Sequence, residues 1–204
     1  MGPRGGPSAL FTGSLWAGNN PAYVCNNDLT AGGADPAEWR PRREPSGGVA
    51  VSRDDPSGQT FAMAFTDSGH ADPRDVEVRL TARTEIGGDL DRAVILAYTV
   101  RNRGDRMLSR YHLGLFMDWD VVDLLGNVGG TDRAHRAAWV GMPDGPVFGQ
   151  ALLGDAPLSN ATVIDNPTYV FPVSHVIDAH KQQLLSGAIA EDAITTPTDL
   201  SALV

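Results

Sequence analysis

AVILAYTVRNRGDRMLSRYHLGLFMDWDVVDLLGNVGGTD, residues Ala93–Asp132, is the stretch that decides the fold class of this chain. Two apolar runs rich in β-branched and aromatic residues flank a polar turn, which is typical of β-strands. The run Ala93–Val100 is almost continuously apolar and predicts a central strand buried on both faces. The run Arg110–Asp120 predicts the next strand, joined to the first as a hairpin with a loop longer than the tight classes.

Shorter segments on both sides of this stretch continue the strand pattern. Phe61–Thr66 alternates large and small side chains, and Val76–Thr84 predicts a half-buried strand with Glu77 on its polar face. Asp178–Ser186 is the one convincing helix, with Asp178 as its N-cap and Gly187 as its terminator. The sequence therefore predicts an all-β fold, an antiparallel β-sandwich with one short helix near the C-terminus, built as a single domain over residues 1–204.

Composition and charge exclude several classes of function. The chain has 204 residues and a net charge of −9, which disfavours nucleic acid because phosphates require a basic surface. It has no apolar run of the length needed for membrane insertion. Its single cysteine, Cys25, permits neither an intrachain disulfide nor a cysteine-based zinc site.

Acidic and amide side chains cluster at the end of the second run. Asp118 and Asp120 are two residues apart on a strand, so both carboxylates project from one face. Hard oxygen ligands on a strand end and a Gly-containing loop suit Ca²⁺, although the spacing is not that of an EF-hand. The candidate metal ligands are Asp118, Asp120, Asp123, Asn127 and Asp132. The alternative is that these side chains cap the loop backbone.

Complete catalytic motifs are absent from the sequence. There is no H-E-x-x-H helix motif and no G-x-S-x-G elbow. Asp118 and Asp120 also fit the carboxylate pair of a glycosidase, but residues so close on one strand lack the separation that acid and base roles need. Aromatic residues offer a second alternative, a sugar-stacking platform that includes Trp16, Trp39, Trp119 and Trp139.

Three segments of the chain carry a recognisable pattern of residues. In the central segment these are Tyr98, Asn102, Gly114, Leu115, Phe116, Asp118, Trp119 and Asp120. In the upstream and downstream segments they are Leu15, Trp16, Gly18, Lys181, Leu184, Leu185 and Gly187. The pattern resembles a recurring module of large bacterial secreted and cell-surface proteins. Such modules occur beside subtilisin-like peptidase domains, fibronectin-type repeats or a type IX secretion sorting domain.

The resemblance implies a non-catalytic accessory module of an extracellular or cell-surface protein, whose partners are neighbouring domains of the same polypeptide. It carries over no catalytic residue. In the resembled modules a further strand follows the region matched by Asp199–Val204, so the chain is expected to be a fragment truncated at its C-terminus. A carbohydrate-binding module with a glycan partner, and part of a secreted peptidase or glycosidase, are the alternative functions.

Overall fold

The computed structural model describes residues 9–27, 29–30, 33–34, 37–42, 50–121, 126–163 and 178–188. Within them the chain forms strands and one short helix. The elements are β1 (Leu10–Asn20), β2 (Tyr23–Cys25), β3 (Leu29–Thr30), β4 (Gly33–Ala34), β5 (Arg40–Pro41), β6 (Ala50–Asp55), β7 (Gly58–Thr66), β8 (Val76–Glu85), β9 (Val94–Asn102), β10 (His112–Trp119), β11 (Val128–Asp132), β12 (Ala137–Gly141), β13 (Val147–Ala151) and α1 (Asp178–Ser186).

Every strand pairing is antiparallel, which confirms the predicted all-β fold with one short helix. The elements divide into two compact units, one formed by residues 1–35 and 110–204 and the other by residues 36–109. Each unit is described by itself below. The single domain over residues 1–204 stays a prediction. No helix within the described ranges has the length and apolar character needed to cross a membrane.

The first unit contains two three-stranded sheets. Sheet 1 has the order β10-β1-β2, and sheet 2 has the order β11-β12-β13. Trp119 of β10 stacks on Phe148 of β13 at 5.3 Å between ring centroids, and the Gln150 side chain donates a hydrogen bond of 2.9 Å to the Leu115 carbonyl. The two sheets therefore pack on one another, as a sandwich requires.

Helix α1 covers the other face of sheet 1. Leu184 and Leu185 are buried with Trp16 and Val24, and Phe116 packs against this cluster. Side chains alternate along β10, so Phe116 and Trp119 point to opposite faces and serve α1 and sheet 2 respectively. A Cβ on Gly114 would collide with the Leu185 side chain, so glycine at this position allows α1 to pack closely on sheet 1.

The C-terminal end of α1 follows the predicted pattern. At the other end, Asp178 is in the first turn, and its role as N-cap stays a prediction. Gly187 has a φ of 73° and donates to the Leu184 carbonyl at 3.2 Å, while Ala188 donates to the Gln183 carbonyl at 2.9 Å. This pair of bonds is the Schellman motif, in which a left-handed glycine satisfies the last carbonyls of a helix.

The second unit is a five-stranded sheet, called sheet 3, with the order β5-β7-β8-β9 and β6 also paired with β7. The β7–β8 and β8–β9 ladders each run through nine residue pairs without a register shift. On one face, Phe61, Met63 and Phe65 of β7 lie beside alternating apolar residues of β8, of which Val76 and Val78 are fully buried. The predicted alternation of β7 and β8 is therefore present.

Two predictions about β9 and β10 are wrong. Among the described strands β9 pairs with β8 alone, and Ala97, Thr99 and Arg101 are exposed, so β9 is not buried on both faces. β10 pairs with β1 and not with β9, so the two runs do not form a hairpin. An apolar run does not itself distinguish a central strand from an edge strand. The partner of β10 is β1, which precedes it by about a hundred residues, and no local pattern indicates a pairing over that distance.

Candidate functional site

Asp118 and Asp120 are the two candidate ligands at the end of β10. Asp118 lies opposite Thr12 in the β1–β10 ladder and is half-buried. The backbone amide of Asp120 donates to the Ala9 carbonyl at 2.8 Å, which continues the pairing past the strand end. Burial raises the pKa of the Asp118 carboxyl, and the negative charge of Asp120 raises it further. The influence of Asp120 on Asp118 agrees with carboxylates that project from one face.

Asp132, at the end of β11, is hydrogen-bonded to His135. One carboxylate oxygen accepts a 3.0 Å hydrogen bond from the His135 amide, and the other lies 2.6 Å from His135 Nδ1. These bonds, the side-chain one first, lower the pKa of Asp132. The carboxylate therefore caps the turn between β11 and β12, which is the alternative that the sequence left open.

The remaining candidate ligands are Asp123 and Asn127. Asn127 is half-buried just before β11, and Asp123 lies outside the described residues. In the part of the chain that the structure describes, no three His, Cys, Asp or Glu side chains come together as a metal-binding group. The five-residue metal site stays a prediction.

Three of the four tryptophans proposed for sugar stacking are in the protein interior. Trp16, Trp39 and Trp139 are only 5–6% exposed. Trp16 stacks on Phe116 at 4.9 Å, and Trp39 meets Phe65 edge-on at 5.4 Å. Stacking on a sugar needs an exposed ring face, so these three rings are not available for it.

A buried carboxylate in sheet 3 is the feature that the sequence did not reveal. Glu77 of β8 was expected on the polar face of a half-buried strand, but it is 1% exposed. Three arginines surround it. Arg79 Nε is 3.2 Å from Oε1, Arg103 Nη1 is 3.5 Å from Oε2, and Arg42 Nη1 contacts Oε2.

The arginines hold Glu77 in its ionised form. Burial by itself raises the pKa of the Glu77 carboxyl, but the Arg79 hydrogen bond and the charges of Arg42, Arg103 and Arg79 outweigh it, and the net pKa is lowered. The three guanidinium groups remain between 38% and 53% exposed. Glu77 is thus a fixed negative charge beneath a half-exposed arginine layer, and it is unsuited to donate a proton near neutral pH.

A shallow depression of about 210 Å³ lies over this cluster. Its lining contains two of the arginines and three carboxylates, together with two hydroxyl groups: Arg42, Arg103, Asp67, Asp75, Glu77, Thr66 and Ser68. Two positive charges face three negative ones, so the lining has no positive excess that would select an anion.

The sequence contains no local signal for the Glu77 cluster. Arg79 is its neighbour on the same strand, but Arg42 precedes Glu77 by 35 residues and Arg103 follows β9. Only the pairing of β5, β7, β8 and β9 brings the four side chains together.

Comparisons with protein-family models, with curated proteins and with solved structures found no match to this chain.

Proposed function

We propose that this chain is a non-catalytic accessory module of a bacterial secreted or cell-surface protein, and that it supports neighbouring domains of the same polypeptide. The resemblance of the Gly114–Asp120 segment and of the α1 segment to such modules supports the assignment to this class. In the described residues, the buried carboxylates Glu77 and Asp67 are held by partners within the fold.

The observation that carries this proposal is the state of Glu77. A buried carboxylate is the usual starting point of an acid–base site, but catalysis at neutral pH needs a carboxyl whose pKa is raised toward 7. Here three guanidinium groups lower the pKa of Glu77. Asp67 is also buried, and its carboxylate accepts hydrogen bonds from the amides of Arg74 and Val76. Both groups stabilise the fold.

The carbohydrate-binding alternative loses most of its predicted platform, because Trp16, Trp39 and Trp139 are buried. The hydrolase alternative retains Asp118, whose raised pKa is compatible with an acid role. Its neighbour Asp120 follows two residues later on the same face, which leaves little room for a substrate between the two carboxylates.

Calcium belongs to the proposal as a stabilising ion at Asp118 and Asp120. The donor chemistry fits, since carboxylate oxygens are the ligands that Ca²⁺ prefers. Burial and, after it, the charge of Asp120 raise the pKa of Asp118, and a cation would offset both effects. Because Asp132 is hydrogen-bonded to His135, we expect Asp123, Asn127 and water to complete the coordination.

The test is an activity and binding screen of the full chain with fluorescent casein, a panel of chromogenic glycosides and a glycan array, between pH 5 and pH 8. Asp118→Asn and the exposed-turn variant Asp89→Asn serve as a matched pair, since each removes one negative charge. We expect no turnover and no glycan signal above background. Turnover that Asp118→Asn abolishes and Asp89→Asn preserves would replace the accessory role with a hydrolase. A saturable glycan signal would replace it with a carbohydrate-binding module.

A further inference from the structure

The outer edge of β9 is an unusual feature of sheet 3. β9 is nine residues long, and β8 is the only strand paired with it in the described part of the chain. The β8–β9 ladder is continuous from Val76↔Asn102 to Thr84↔Val94, so no bulge bends the strand away. A long, regular edge strand presents a row of backbone N–H and C=O groups that can pair with another strand.

The sequence of β9, VILAYTVRN, lacks the usual protection of such an edge. It contains no proline, no lysine and no acidic residue, and its single charge, Arg101, is next to its last residue. Natural sheets block edge-to-edge pairing with charges, prolines or bulges near the middle of the edge strand. The middle of β9 has Ala97, Tyr98 and Thr99 instead.

The two faces of β9 differ in a way that favours continuation of the sheet. Leu96, Tyr98 and Val100 lie on the same face as Leu80 and Val78 of β8, and all three are half-buried. On the opposite face Ala97, Thr99 and Arg101 are exposed, and Ile95 is half-buried. A strand added in register would extend the apolar face on one side and meet small or polar groups on the other.

Charge distribution selects the orientation of the added strand. The turn before β9 contains Asp89, Asp91 and Arg92 and keeps a net negative charge, while Arg101 and Arg103 are at the end of β9. Antiparallel pairing of two identical strands brings the acidic turn of one copy beside the basic end of the other. Parallel pairing would bring like charges together, which is destabilising.

We propose that β9 pairs antiparallel with β9 of a second copy of this chain, across a two-fold axis near Ala97, and joins two five-stranded sheets into one. In this register Val94 lies opposite Val100 of the partner, and Leu96 lies opposite Tyr98. Each strand is self-complementary, as a two-fold interface requires.

The proposal is tested by sedimentation equilibrium of the full chain over a range of concentrations. We expect a monomer–dimer equilibrium for the native chain. Ala97→Lys places two lysines against each other at the axis and should raise the dimer dissociation constant about 100-fold. Thr81→Lys is the control, because Thr81 is exposed on the same face but belongs to β8, where it pairs with Ala97 of the same copy. It should leave the dimer intact.

A second variant fixes the register. Ala97→Cys should form a disulfide-linked dimer under mild oxidation, because directly opposite residues of antiparallel strands are within disulfide reach. The native Cys25 is buried, so the native chain is the control. A native chain that stays monomeric at every concentration overturns the proposal. A dimer that Ala97→Lys and Thr99→Lys both leave unchanged, with folding confirmed by circular dichroism, also overturns it.

Discussion

Asp67 and Val76 are joined by two hydrogen bonds that close the loop between β7 and β8. The Asp67 amide donates to the Val76 carbonyl at 3.2 Å, and the Val76 amide donates to the Asp67 carboxylate at 3.0 Å. The second carboxylate oxygen accepts the Arg74 amide at 2.6 Å. Asp67 is 1% exposed, so its charge is balanced by backbone dipoles in the protein interior.

Asp67→Asn should destabilise the chain. The amide side chain keeps one acceptor oxygen and turns an NH₂ group toward a backbone amide, so one buried N–H loses its partner. We expect a loss of about 1–3 kcal/mol in the free energy of unfolding, measured by urea denaturation. Asp89→Asn removes the same charge from an exposed turn and should change stability by less than about 0.5 kcal/mol. Equal effects of the two variants would contradict the assigned role of Asp67.

Glu77→Gln should be more damaging than a change at a surface ion pair. It leaves three guanidinium groups around a neutral side chain. Breaking a buried pair costs about 3–5 kcal/mol, and half-exposed arginines reduce this to about 2–3 kcal/mol because solvent screens them. The control is Glu85→Gln on the same strand, which removes a pair with Arg83 that is 48% exposed. Its cost should stay below about 1 kcal/mol.

Acid should remove the contribution of Glu77. The pKa of Glu77 is lowered in the folded state, so its ionised form stabilises the fold at any pH above its ordinary value of 4.5. As pH falls from 4.5 through the lowered folded pKa, the unfolded chain takes up the proton first and the stabilisation is lost. The stability difference between the native chain and Glu77→Gln, measured by urea denaturation at a series of pH values, should therefore be constant near neutrality and shrink in acid. A difference that is independent of pH would contradict the ion-pair assignment.

Local signals in the sequence predict several elements of this fold, and Glu77 shows what such signals do not predict. Alternation along Val76–Thr84 predicts β8 correctly, and Gly187 predicts the C-terminal end of α1, because those signals are local. Glu77 is on the polar face that alternation predicts, yet it is buried by arginines from distant segments. No local pattern predicts that these distant arginines meet at Glu77. For the same reason, local patterns predicted a β9–β10 hairpin, whereas the partner of β10 is β1.

Asp118→Asn should stabilise the metal-free chain at neutral pH. The pKa of Asp118 is raised by burial and by Asp120, so its ionised form opposes folding. This penalty is absent below the ordinary carboxyl pKa and appears as pH rises toward and through the raised folded value. The gain in melting temperature over the native chain should therefore be present at pH 7 and absent in acid.

Calcium should raise the melting temperature of the native chain relative to that of Asp118→Asn. If Ca²⁺ binds at Asp118 and Asp120, the melting temperature of the native chain rises with Ca²⁺ concentration by linkage, and that of Asp118→Asn does not. Calorimetry of chelator-treated protein with and without added Ca²⁺ measures both. A native chain that is insensitive to Ca²⁺ after confirmed metal removal would exclude the calcium part of the proposed function and leave the accessory role standing.

Lys181 should determine how firmly α1 is held on sheet 1. It is 4% exposed, its Nζ donates to Asn26 Oδ1 at 2.9 Å, and it lies 5.5 Å from the centroid of the Trp16 ring. Lys181→Met keeps most of the side-chain volume but removes the charge and the donor, so a buried acceptor on Asn26 loses this bond at a cost of about 1–3 kcal/mol. Gln183→Ala, at an exposed position of the same helix, is the control.

Hydrogen exchange measures the effect on α1, because this helix contacts sheet 1 through Leu184, Leu185 and Lys181. We expect the α1 amides to exchange faster in Lys181→Met than in Gln183→Ala, with the β7–β8 amides unchanged in both. Unchanged exchange in α1 would show that the two leucines hold the helix without the lysine.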